Sequence, residues 1–222
     1  MRTEKQHAVI TGGDGSLGRA IAAALQSPDW DIAAPGRQQL DVSENARVHQ
    51  YFQHRSVDLL VCTAGITRDA PLAKLTEAAW NKTWDVNFTG AAACADAVLP
   101  GMIDRKNGHI IFISSFSALH PPVGQSAYAA AKAALLGLVV ELAARHGPSN
   151  IRVNAVLPGF FESRMTETVT ERRRARIIAA HALGRFNTCD EVAGFIRYLH
   201  HHLPHASGQA FQLDNRTNVP FL

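Results

Sequence analysis

Short, continuous apolar runs recur along this chain and alternate with longer stretches of helical spacing. The runs fall at 7–11, 30–34, 58–63, 109–113, 151–156 and 210–213. Leu59-Leu60-Val61 and Ile110-Ile111-Phe112-Ile113 show no polar alternation, so both faces of these strands are expected to be buried. Helical patterns fill the gaps at 16–26, 166–182 and 188–201. Three more are bounded by local signals: from a cap at Ser43 to about His54, from Thr76-Glu77 to about Leu99 before Pro100-Gly101, and from a cap at Ser126 to about His146. This order predicts an α/β fold with a doubly wound parallel sheet of six to seven strands in three layers. One connection is too short. Only residues 35–39 separate the second run from Leu40-Asp41-Val42, and a parallel crossover with its helix needs about a dozen residues or more. The helix after strand 2 is therefore expected to be missing, with Leu40–Val42 a mere edge segment.

The chain has 222 residues, 46% of them hydrophobic, with no linker or internal repeat, so a single domain over 1–222 is expected. Twenty-two Lys and Arg face 19 Asp and Glu, which gives no global case for nucleic acid or an anionic membrane. Cys62, Cys94 and Cys189 lie far apart without CxxC spacing, arguing against a disulfide framework or a cysteine metal site. His200-His201-His202 and His205 have no nearby Cys or carboxylate partner in sequence, and no metal is expected. The first seven residues lack a secretory apolar core. The most apolar run, 133–140, is broken by Glu141 and falls short of the roughly 20 residues of a membrane span. A soluble cytoplasmic protein is the expectation.

Thr11-Gly12-Gly13-Asp14-Gly15-Ser16-Leu17-Gly18 joins the first strand to the first helix. Glycines there permit a tight turn and close backbone approach to a pyrophosphate, and the helix N-terminus offers free N–H groups. A plain βα turn is the simpler reading; the position at the first β–α junction favours a Rossmann-like dinucleotide site. Strand 2 leads into Pro35-Gly36-Arg37, with no acid at its tip. An acid there suits the ribose hydroxyls of NAD, whereas a base suits the 2′-phosphate of NADP. Arg37 thus favours NADP(H) over NAD(H), and Asp14 counts against it by repulsion.

Tyr128 and Lys132 stand four apart, on one face near a helix start. An ammonium beside a phenol favours phenolate, lowering the Tyr pKa from about 10 toward the range useful to a general acid–base. Ser115 lies just beyond the strand 109–113, at the edge where parallel sheets bind ligands. Tyr and Lys at this spacing are common on helices; the wider set is not. It includes Asn87 in Asp85-Val86-Asn87-Phe88, Asn154-Ala155-Val156-Leu157-Pro158-Gly159, Leu183-Gly184-Arg185-Phe186 followed by Asp190-Glu191-Val192-Ala193, and Gly208-Gln209. In these motifs and their order the chain resembles the short-chain dehydrogenase/reductase family over nearly its whole length, nearest its 3-oxoacyl-(acyl-carrier-protein) reductase branch.

The resemblance implies a tetrad of Asn87, Ser115, Tyr128 and Lys132. Ser115 and Tyr128 would bond the substrate oxygen, and Tyr128 would protonate it as hydride arrives. Lys132 would hold the nicotinamide ribose. Asn87 would distort its helix and hold a water leading to Lys132. Cofactor contacts would come from Gly12, Asp14, Ser16, Leu17 and Gly18, from Arg37, from Asp41 and Val42 at the adenine, and from Ala64 and Gly65 at the ribose. Pro158, Gly159, Phe161 and Ser163 would grip the carboxamide. Departures from the family pattern are Ser16 for a glycine, Cys62-Thr63 for two Asn, Ser163 for Thr, and Asn215-Arg216 for two glycines. A lid is implied at about 160–186, with Arg172-Arg173-Arg174-Ala175-Arg176 either a solvated face or a dock for acyl carrier protein or a CoA phosphate. The nearly all-round apolar helix 126–146 suggests a homodimer or homotetramer. The expected activity is NADP(H)-dependent reduction of a carbonyl, plausibly of a 3-oxoacyl thioester. The alternatives are a non-catalytic NADP-binding sensor or scaffold, and a sugar epimerase or dehydratase.

Overall fold

The computed structural model of the chain describes residues 5–216. At its centre lie β1 (Gln6–Thr11), β2 (Trp30–Ala33), β3 (Leu59–Cys62), β4 (Gly108–Ile113), β5 (Ile151–Leu157) and β6 (Ala210–Gln212). They form one sheet in the order β2-β1-β3-β4-β5-β6, and every neighbouring pair is parallel. Side-chain alternation divides two cores. Leu59, Val61, Ile111 and Ile113 face α1 (Ser16–Leu25) and α7 (Cys189–His202), where Ile21, Leu25 and Ile196 pack. Leu60, Cys62, Ile110 and Phe112 face α2 (Asn45–Phe52), α4 (Gly90–Arg105) and α5 (Ser126–His146), where Phe52, Cys94, Met102 and Leu135 pack. The expected three layers and doubly buried strands are present.

The chain leaves β1 toward β2, then crosses back to β3 on the other side. Strand order reverses between β1 and β3, which opens a crevice at their C-terminal ends. The connections after β1, β3, β4 and β5 all emerge along this edge.

The sheet has six strands, and Leu40–Val42 is not among them. No helix follows β2 before residue 45, as expected. Leu40 and Val42 instead turn inward and join the core beneath α2 and α4. Ser43 does not cap α2; Glu44 holds the cap position, and the Ser43 hydroxyl donates to Asp41. Gln125, not Ser126, holds the cap position of α5.

The third helical pattern runs past Pro100. It comprises α3 (Glu77–Trp84), a π turn (Asp85–Thr89) and α4, which ends at Arg105. Met102, fully buried, makes the last turn worth keeping, and Gly108 lies so close that a Cβ there would stand 2.4 Å from its sulfur. Left-handed Lys106 then closes the helix onto the carbonyls of Met102 and Ile103. The pattern at 166–182 shrinks to α6 (Glu171–Ala180), which starts where the Thr170 hydroxyl accepts from Arg173 N–H. His200, His201 and His202 form the last turn of α7, and His200 stacks on His109 and meets Trp30 edge-on.

Among the described residues two helical stretches, Glu77–Arg105 and Ser126–Ser149, are long and apolar enough to cross a membrane by length and composition. The break at Glu141 therefore does not limit the apolar length. Both stretches are partly buried against the sheet, which accounts for their apolar residues.

Candidate active site

The first turn is shaped for close approach. Gly12 adopts φ +69°, and a Cβ there would stand 2.9 Å from Ala64. At Gly13 a Cβ would overlap Ala34, and at Gly18 it would meet the Gly12 carbonyl at 2.6 Å. Helix α1 opens after Gly15 with no side-chain cap, so its first N–H groups face the crevice unclaimed by a cap. Ser16 is the first helical residue, while Leu17 turns its side chain into the core. Thr63 donates its hydroxyl to the Thr11 carbonyl, a tie between β1 and β3 at a position where the family pattern has Asn.

The rim beside β2 is less simple than its sequence. The Asp14 carboxylate lies directly over Gly36, so an acid reaches the β2 tip from the glycine turn. Arg37 pairs with Asp41 at 3.0 Å, although its side chain stays 75% exposed and free to swing. The Asp41 carboxyl is desolvated, yet hydrogen bonds from Ser43 and the Arg37 charge lower its pKa to about 2. Val42 packs into the core against Gly90 rather than lining an open pocket.

At the sheet edge the four tetrad positions meet. Ser114 donates to the Lys132 carbonyl and Lys132 Nζ to the Ile113 carbonyl, both at 2.8 Å, stapling α5 to the end of β4. Tyr128 thereby comes beside Ser115, whose hydroxyl acts on its phenol. Lys132 Nζ lies 5.8 Å from the Tyr128 ring centroid. Asn87 is fully buried in the π turn, where its amide donates to the carbonyls of Thr83 and Ile66. That side-chain bond to Thr83 takes the place of a helical one and accounts for the local widening. Asn87 Oδ1 is buried without a partner, and a Cβ on Gly65 would stand 2.9 Å from it and 3.7 Å from Lys132 Nζ.

One electrostatic expectation is overturned. Burial raises the Tyr128 pKa above its ordinary value; the Ser115 hydrogen bond opposes this and the Asp69 charge adds to it. Lys132 does not bring it down, because its ammonium is aimed at a main-chain carbonyl and is itself desolvated, with a pKa lowered to about 8.

Beyond β5, Gly159 turns at φ +75° against Asp214, and the Pro158 carbonyl accepts from Asn187. Phe161 bridges to Asn187 and packs on the core beneath the crevice. The Ser163 N–H donates to Thr166. Several contacts here had no sequence signal. Arg174 turns inward and binds the carbonyls of Thr166 and Val169 and the Glu162 carboxylate, so it ties the loop after β5 instead of joining a basic face. Arg172, Arg173 and Arg176 remain exposed. Arg164 crosses from this loop to the Asp14 carbonyl at 2.7 Å. Arg216 pairs with Asp214 and stacks on Phe116, next to Ser115.

Comparison with known proteins agrees with this geometry. The family described as short chain dehydrogenase matches residues 38–174. The 3-oxoacyl-[acyl-carrier-protein] reductase FabG of Thermotoga maritima is 33% identical over 225 residues, covering 90% of this chain and 92% of that protein. The acetoacetyl-CoA reductase of Synechocystis is 32% identical, covering 86% of each. Among solved structures, a protein provisionally described as an NAD(P)-dependent gluconate 5-dehydrogenase from Beutenbergia cavernae, with NADP bound at low occupancy, superposes with a TM-score of 0.91 at 25% identity over 96% of both chains. With a six-stranded parallel sheet, a glycine cradle at its switch point and the Ser115, Tyr128 and Lys132 constellation at the same edge, the chain belongs to the short-chain dehydrogenase/reductase family of oxidoreductases.

Proposed function

We propose that this protein is an NADP(H)-dependent carbonyl reductase acting on a 3-oxoacyl thioester of acyl carrier protein or CoA. The observation that carries the reading is the gathering of Ser115 beside Tyr128, and of Lys132 and Asn87 beside Gly65, at the switch-point crevice. The residues fit a dinucleotide. Gly12, Gly13 and Gly18 let the turn close tightly where a Cβ would collide with neighbouring backbone, α1 offers uncapped N–H groups, and Asn87 Oδ1 is an unpaired buried acceptor. Gly12, Ser16 and Gly18 would hold the pyrophosphate, Ala64 and Gly65 the ribose, and Ser163 and Gly159 the carboxamide side. When bound, reduced nicotinamide supplies hydride to the carbonyl carbon.

The chain's own residues supply the rest. Tyr128 would give its phenolic proton to the carbonyl oxygen as the general acid beside Ser115. Ser115 donates a hydrogen bond to the same oxygen and meets the charge that develops there. Lys132, buried at the crevice floor, would hold the ribose and return a proton to Tyr128 through the polar path toward Asn87. Arg37 would swing from Asp41 to the 2′-phosphate, with Asp14 opposing it. The exposed Arg172 and Arg173 would meet an acidic carrier. Val140, 59% exposed on α5, together with Leu136, would lie at a homodimer or homotetramer interface, and the enzyme would work in the cytoplasm.

The test is a turnover panel with NADPH or NADH against acetoacetyl-CoA, a 3-oxoacyl carrier-protein substrate and small ketones, and with NADP+ or NAD+ against gluconate. Turnover of the thioesters with NADPH is expected. Arg37→Ala should lower the preference for NADPH by about tenfold, the worth of one charge-assisted phosphate contact. Reversing Arg172 and Arg173 to Glu should weaken carrier-linked turnover and spare small ketones. Turnover of gluconate alone would replace this substrate class with a sugar acid, and a preference for NADH would remove the role given to Arg37.

A further inference from the structure

We infer that Asp69, Gln125 and Ser117 form a bracket that sets the orientation of the Ser115–Tyr128 pair, with Asp69 and Gln125 as positioning residues. The inference rests on Ser115 and Tyr128 being the reacting pair and does not depend on the substrate.

Three segments at the crevice mouth meet here: the loop after β3, the turn after β4, and the residue before α5. Gln125 occupies the cap position of α5, but its side chain makes no capping bond. Both ends of its amide are used elsewhere. Nε2 donates to Asp69 Oδ2 at 2.8 Å, and Oε1 accepts from the Ser117 hydroxyl at 2.8 Å. The main-chain N–H of Ser117 donates to Ser115 Oγ at 3.1 Å. A backbone bond from Ala70 N–H to the Gly124 carbonyl, 2.9 Å, locks the first loop to the third segment.

The chain of bonds has a forced direction. A carboxylate only accepts, so Asp69 obliges Gln125 to turn its NH₂ outward and its oxygen inward. That oxygen obliges the Ser117 hydroxyl to donate. Ser117 N–H then occupies one lone pair of Ser115, leaving the remaining lone pair and the proton for Tyr128 and a carbonyl oxygen. The charge of Asp69 also acts on Tyr128 through space and favours the protonated phenol. The other charged groups near Tyr128 are Lys132 on its own helix and Arg216, which stacks on Phe116 beside Ser115 and is paired with Asp214. None of these changes in the variants below.

The decisive set is Asp69→Asn, Gln125→Glu and their combination. The readout is the tyrosinate absorbance of Tyr128, taken as the difference from the same variant carrying Tyr128→Phe. Asp69→Asn should lower the Tyr128 midpoint by about half a unit or more, because a neighbouring negative charge is gone. The double variant restores a carboxylate and keeps every bond of the bracket, with donor and acceptor exchanged only between positions 69 and 125, so the midpoint should return at least to its wild-type value. In turnover, Gln125→Glu sets carboxylate against carboxylate and should lower kcat at least about tenfold at neutral pH, with recovery in acid as the pair shares a proton. The double variant should regain kcat to within about threefold, with the Kd for NADPH unchanged throughout. A Tyr128 midpoint unmoved by Asp69→Asn, or a double variant as impaired as Gln125→Glu, would overturn the bracket. Failure of the reductase reading would look different: turnover would survive Tyr128→Phe while the titrations still reported on the bracket.

Discussion

Tyr128→Phe is expected to lower kcat by a factor between about a hundred and ten thousand, the usual contribution of a positioned general acid. The ring keeps its place because its position comes from α5, which Ser114 and Lys132 fasten to β4 through bonds that do not involve the phenol. The Kd for reduced cofactor should therefore hold within about twofold. Ser115→Ala should cost less, since it removes one hydrogen bond to the oxygen and leaves the proton donor. The two together should cost little more than Tyr128→Phe alone, because groups that act on one oxygen as a unit are not additive. Stopped-flow measurement of single-turnover oxidation of NADPH separates the chemical step from release and checks all three.

Lys132→Met is expected to abolish most activity and yet raise stability at neutral pH. Lys132 is 3% exposed, and desolvation lowers its pKa from 10.5 to about 8. The unfolded chain therefore holds this proton more tightly than the folded one. Below pH 8 the buried ammonium is a full cost to folding, and the cost fades as pH rises from about 8 toward 10.5. Removing the amine should thus stabilise the fold at pH 7 by an amount on the order of 3 kcal/mol at most, reduced by the lost bond to the Ile113 carbonyl. At about 2–4 °C per kcal/mol for a chain of this size, Tm should rise by several degrees at pH 7. The gap between variant and wild type should close as the pH approaches 10.5. Thermal unfolding across this range checks the sign. A lower Tm at pH 7 would mean that the hydrogen bond outweighs desolvation.

What was legible in the residues was whatever repeats or stands in a motif. Leu59–Val61 and Ile110–Ile113 announced doubly buried strands because a sheet covered on both faces tolerates no polar alternation. The short reach from Pro35 to Leu40 announced a missing helix because chain length is a hard limit. The proposed tetrad was legible only through the family's motifs in their order, because Tyr and Lys four apart are common on helices and Asn87 carries no spacing signal of its own. Cooperative packing was not legible. Pro100 reads as a stop, but burial of Met102 carries the helix past it. Ser43 reads as a cap, but Asp41 claims its hydroxyl. Arg37 reads as a free phosphate ligand, yet it rests on Asp41, and Asp14 arrives at the same rim from another loop. Arg174 reads as one of a row of surface charges, although it alone of that row turns inward to tie the loop after β5. Asp69 and Gln125 lie 56 residues apart and meet only once β3, β4 and α5 are in place. The fall in the Tyr128 pKa expected from its lysine neighbour failed for the same reason: spacing places the ammonium nearby, but only the fold aims it at Ile113.

The most direct test of the account is to follow the hydride itself. The purified protein is incubated with acetoacetyl-CoA and NADPH carrying deuterium on the transferable C4 position, and the hydroxyacyl product is analysed by mass spectrometry beside that from Tyr128→Phe. The account predicts one deuterium on the hydroxyl-bearing carbon with the wild-type chain and product reduced at least about a hundredfold with the variant. Product that forms without deuterium, or equal deuterated product from both proteins, would contradict it.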